Sequence, residues 1–138
     1  MNPKMEPQRF FESADETVSN VLLAHWNRAS AKQFTAFRMS RGKNWSHYFF
    51  QYRMYGISIE VGAKEIVFTS TSSFSPTKRK TVFYVWNDVD DKDDVLIALR
   101  DNTEAMWRKL EGTTSMSGLT GFAFPFGQYG AVEEESVS

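Results

Sequence analysis

From Val18 onward, Val18, Val21, Leu22, His25, Trp26 and Ala29 recur at spacings of three and four. That period puts them on one stripe of a helix, with Asn20, Asn27 and Arg28 toward the other side. Just ahead, Ser13-Ala14-Asp15-Glu16 has the form of a capping box, so the pattern predicts a helix over about 14–29. Residues 1–10, broken by Pro3 and Pro7, read as a flexible lead-in.

From Lys32 to Asn87 the period shortens, and aromatic and β-branched residues dominate between turn signals. Strands are predicted over Gln33–Met39, Trp45–Tyr55, Ile57–Val61, Glu65–Ser72 and Thr81–Trp86. Ser40–Asn44 and Ser73–Lys80 read as basic loops, and Gly62-Ala63-Lys64 as a turn. The hairpin from 57 to 72 has the cleanest alternation. The aromatic run 45–55 has no clear period and could also be a short helix closed by Gly56, but its aromatic content favours a strand.

A second helix is predicted over about 91–111. Leu96, Leu99, Thr103, Met106 and Leu110 form its inner stripe. Asp88, Asp90, Asp91, Asp93 and Asp94 crowd its start, where the helix dipole favours negative charge. Arg108 and Lys109 sit in its last turn, and Gly112 stands just past the end. Residues 113–138 then form a glycine- and phenylalanine-rich arm with the acidic tip Glu133-Glu134-Glu135. The expected fold is α+β: one antiparallel sheet of four to five strands flanked by an N-terminal and a C-terminal helix, in the order α-β-β-β-β-β-α. The folded unit is expected at 11–112, with the C-terminal arm at 113–138.

The chain has 138 residues, enough for one domain with its own core. It has no cysteine, which excludes disulfide scaffolds, thiolate zinc sites and cysteine nucleophiles. The N-terminus lacks the apolar region of a signal peptide, and apolar runs fall far short of the roughly 20 residues of a membrane helix. A cytoplasmic protein with no membrane partner is expected.

The net charge of −1 hides a strong segregation. Residues 1–30 carry net −1, residues 31–81 net +7 and residues 82–138 net −7. A segment that is both basic and aromatic is the combination single-strand binders use, since cations offset phosphates and rings stack on bases. On that reading the sheet binds single-stranded DNA or RNA. Trp45, Phe49 and Tyr55 would stack, and Lys32, Arg38, Arg41, Lys43, Arg53, Lys78, Arg79 and Lys80 would contact phosphates. Basic aromatic domain, glycine-rich spacer and acidic tip together are similar in layout to single-strand binding proteins, and strands followed by a helix is also the order of Whirly-type binders. No residue motif carries either likeness. The plainer reading is a sheet with rings in its core and cations on its rim.

An alternative is a protein-interaction module, such as an inhibitor, immunity or adaptor protein. It would dock through Asp90, Asp91, Asp93 and Asp94 at the helix start, or through Phe122, Phe124 and Phe126 of the arm. The aspartates lack the glycine and closing glutamate of a calcium loop, and helix capping accounts for them. His25 and His47 stand alone on different elements, without a nucleophile or metal-ligand spacing beside them. Neither a phosphate-binding glycine loop nor a nucleophile elbow is present, so no cofactor, metal or enzymatic activity is expected. A strand edge or a swapped arm would allow a homodimer.

Overall fold

A computed structural model describes residues 7–28, 34–53, 55–62, 65–72, 77–84, 92–112 and 130–136. Helix α1 spans Pro7–Trp26, so it starts well ahead of the capping-box pattern. Proline is tolerated in a first helical turn, where its missing N–H would have had no partner. Phe10 and Phe11 then extend the apolar stripe through Ala14, Val18 and Leu22, and all five are buried. Ser13 thus lies inside the helix, where its carbonyl accepts a 2.8 Å bond from Thr17 Oγ1. The lead-in accordingly contributes helix and core from residue 7 onward.

Five strands follow: β1 (Phe34–Arg41), β2 (Ser46–Tyr52), β3 (Tyr55–Val61), β4 (Glu65–Ser72) and β5 (Thr77–Tyr84). Helix α2 (Lys92–Glu111) comes next, then β6 (Gly130–Ser136). The strands pair antiparallel in the order β1-β2-β3-β4-β5-β6. One antiparallel sheet together with two helices is the expected α+β class. Helix α2 carries Asp93 and Asp94 in its first turn and Arg108 and Lys109 in its last, which complements its dipole. Gly112 closes it by donating to the Arg108 carbonyl at 3.1 Å.

The two helices pack on each other and cover one face of the sheet. Tyr48, Phe50 and Tyr52 of β2 meet Ile57, Ile59 and Val61 of β3 and Ile66 and Phe68 of β4 there. Among the described residues, Trp107 of α2 is the largest fully buried side chain. Its indole stacks on Phe34 at 4.4 Å and on His25 of α1 at 5.3 Å. These contacts join both helices to the first strand through aromatic surface, the type of burial that contributes most per side chain.

Three local departures from the sequence pattern reshape the other face. First, 45–55 is two strands. Tyr52 pairs with Tyr55, leaving only Arg53 and Met54 as the connection. Arg53 takes φ 51°, the left-handed backbone that two-residue hairpins require. Second, the β1–β2 register shifts between Thr35 and Arg38, and Ala36 lies at φ 58°. The bulge places Phe34 opposite Tyr52 and Arg38 opposite Phe49, so the two residues sit on opposite faces. Third, Lys78, Arg79 and Lys80 lie within β5 rather than in a loop, paired with β4 on one side and β6 on the other.

Candidate functional site

The face away from the helices is built from the alternate positions of each strand. Register places Arg38, Phe49, Ser58, Thr69, Lys80 and Glu133 in one row across the sheet. The next row runs Thr35, Gln51, Gly56, Thr71, Lys78 and Glu135. On the other side of the first row come Ser40, His47, Glu60 and Val67. Among the described side chains, Gln51, Ser58 and Thr69 hold the middle of this surface, Phe49 and Arg38 lie to one side of them, and the exposed Glu60 stands at the end of β3.

Only some of the predicted nucleic-acid contacts come together here. The Arg38 guanidinium lies 5.0 Å from the centroid of the Phe49 ring, a cation–π pair across β1 and β2. The Phe49 ring also closes over Gly56, so a Cβ there would stand 3.4 Å from it. Tyr55 begins β3 on the helix-covered face and is 1% exposed, which removes it as a stacking surface. Its displacement follows from the Arg53–Met54 turn, which resets the alternation. Arg41 points to the helix side, where it pairs with Asp15 at 3.0 Å and donates to Tyr48 Oη at 3.2 Å. Those contacts, the Tyr48 bond foremost, raise its already high pKa. Arg53 stands at a hairpin tip, 5.7 Å from the Tyr52 ring. Lys43 lies in the β1–β2 turn at the opposite end of the strand.

Lys78, Arg79 and Lys80 pair in register with Glu135, Glu134 and Glu133, so the acidic tip lies along the most basic strand. Asp93 and Asp94 are exposed on α2. Lys32, Asp90, Asp91, Phe122, Phe124 and Phe126 lie outside the described residues.

Trp45 takes a position that the sequence did not suggest. Its indole rests on Gly42 in the β1–β2 turn, so closely that a Cβ on Gly42 would stand 2.1 Å from Nε1. The turn closes with a 2.8 Å bond from the Gly42 amide to the Trp45 carbonyl. The ring remains 48% exposed and forms one wall of a cleft of about 390 Å3 at the end of the sheet. His47, Glu60, Gly62, Glu65 and Val67 line the rest. His47 Nε2 lies 2.6 Å from Ser58 Oγ, which ties the imidazole to the neighbouring strand. Glu60 and Glu65 are exposed.

Sequence reasoning counted Glu60 and Glu65 only as offsets to a basic segment. The available signal was that they are the two acidic residues of 31–81, and both belong to the well-patterned 57–72 hairpin. Among the described residues no three carboxylate or imidazole groups converge on a metal position, and no helix is long and apolar enough to cross a membrane. Comparison with protein-family models, curated proteins and solved structures finds no match for this chain.

Proposed function

We propose that this protein is an interaction module that docks a protein partner on the helix-free face of its sheet. The observation that carries the reading is the make-up of that face. Half-buried His47, Phe49 and Gln51 lie beside the uncharged Ser58 and Thr69, with Arg38 to one side and Glu60 at one end. Surfaces of that kind suit partner contact, where aromatic residues are enriched and charge is depleted at the centre. The stacking rings that nucleic-acid binding needs are dispersed: Tyr55 is in the core, Arg38 lies over Phe49, and Trp45 stands beside two glutamates.

Binding of single-stranded nucleic acid is the second reading, favoured by one observation. Arg38 shares a row with Lys80, and Lys78 lies in the adjacent row, which could follow a phosphate backbone.

A photo-crosslinking side chain at Ser58 or Thr69, with Arg100 on α2 as control, separates the two. A discrete protein adduct from the sheet positions and none from Arg100 supports docking on this face. A nuclease-sensitive adduct that weakens steeply with salt supports the second reading. The same side chain placed in turn at Asp93 and at Phe124 completes the test: adducts there and not from the sheet move the interface to the helix start or the arm.

A further inference from the structure

The geometry points to the Trp45 cleft as a receptor for one arginine side chain of a protein partner. This assignment deepens the docking reading above and rests on it. Residues 31–81 carry net +7, yet both of their carboxylates, Glu60 and Glu65, border this one cleft. Glu60 stands opposite Val67 in the β3–β4 register, and Glu65 lies two residues before Val67. The two carboxylates are therefore diagonal neighbours, about 7–8 Å apart at their Cα atoms. A cation can stand between them, with the nearly buried Val67 as an apolar floor.

Trp45 supplies the third element. Indole is the strongest of the aromatic cation–π surfaces. Its contact with Gly42 fixes the ring, and the turn that holds it is itself closed by a backbone bond. A ring held in advance costs less ordering on binding than a mobile one. Guanidinium fits this combination better than ammonium. Its planar group stacks on a ring while its N–H fork pairs with a carboxylate, and it is more weakly hydrated. Its three-carbon stem would cover Val67, as long cationic side chains do on apolar surface.

Titration of the full chain with N-acetyl-arginine-methylamide, followed by the Trp45 indole N–H resonance, tests the assignment. A saturable shift of Trp45 and of the Gly62 amide is expected. The neutral isostere N-acetyl-citrulline-methylamide should bind at least tenfold more weakly. The exposed-site variants Glu60→Gln and Glu65→Gln should each weaken binding severalfold, and their double variant at least tenfold, with unchanged thermal stability. No saturable shift, equal binding of the citrulline compound, or unchanged binding by the double variant would overturn the assignment. Tighter binding of n-propylguanidinium, which carries the same single charge, than of the blocked arginine would overturn the partner side chain in favour of a free small cation. Crosslinking at Thr69 reads partner docking independently, so loss of cleft binding with docking intact rejects this inference alone.

Discussion

The hydroxyl of Tyr48 donates to the Asp15 carboxylate, joining the second strand to the first helix from inside the core. Ser46 Oγ donates to the same oxygen at 2.5 Å, and Arg41 reaches the other at 3.0 Å. Asp15 is 7% exposed, so its charge depends on these three donors. Asp15→Ala should cost about 2–3 kcal/mol, because it strands the two buried hydroxyls of Ser46 and Tyr48. Asp15→Asn, which keeps an acceptor, should cost about 1 kcal/mol. Urea unfolding followed by circular dichroism measures both, and equal stability of all three proteins would show that the network contributes nothing.

Alkaline pH should act on the same network. Burial first, and the bond to Asp15 second, raise the Tyr48 pKa above its usual value near 10. A group raised in the folded state contributes its full stability below the unfolded pKa and loses it as pH rises through the folded one. The wild type should therefore lose stability above about pH 10, and Tyr48→Phe should lose less over that interval. The check is the difference in urea midpoint between pH 9 and pH 11 for the two proteins. An identical change in both would assign the alkaline loss to other groups.

Gly42 is expected to control Trp45 more than it controls stability. Gly42→Ala sets a methyl group where the indole now lies, so the half-exposed ring must move. The Trp45 indole resonance should shift and blocked-arginine affinity should fall severalfold. The unfolding free energy should change by less than about 1 kcal/mol, since the ring is on the surface. An unmoved resonance would mean that the turn yields and the ring does not.

Among the described residues, two hold left-handed backbone without being glycine, Ala36 at φ 58° and Arg53 at φ 51°. Such geometry costs an L-residue roughly 1–2 kcal/mol, offset in part by the larger entropy that glycine loses on folding. Ala36→Gly and Arg53→Gly should each stabilise by up to about 1 kcal/mol, read as a higher thermal midpoint. Lower midpoints for both would place the two residues in ordinary backbone.

Those same two residues mark where sequence reading stopped. The alternation of Ser46, Tyr48, Phe50 and Tyr52 was legible, and all four line the core face as their spacing requires. Tyr55 was not, since a connection through Arg53 and Met54 carries no glycine, proline or asparagine. Regular alternation along the first strand would set Phe34 and Arg38 on one face, and the bulge between Thr35 and Arg38 separates them. At the first helix, Pro7 read as a breaker although it serves as a starter, which hid Phe10 and Phe11 from the core. The cleft depended on two turns and three strands meeting at one end of the sheet, a relation no local pattern records. Trp45 was singled out as a ring, but its neighbours Glu60 and Glu65 come from the next hairpin.

Strand β6 has a weak apolar pattern, so hydrophobic alternation alone would let it slide along β5. The backbone register sets Lys78, Arg79 and Lys80 opposite Glu135, Glu134 and Glu133. A slip of two residues in either direction, the smallest that keeps the same faces, would leave only one basic position opposite an acidic one. The segregation of charge along the chain therefore writes into the sequence a register mark that apolar alternation does not supply.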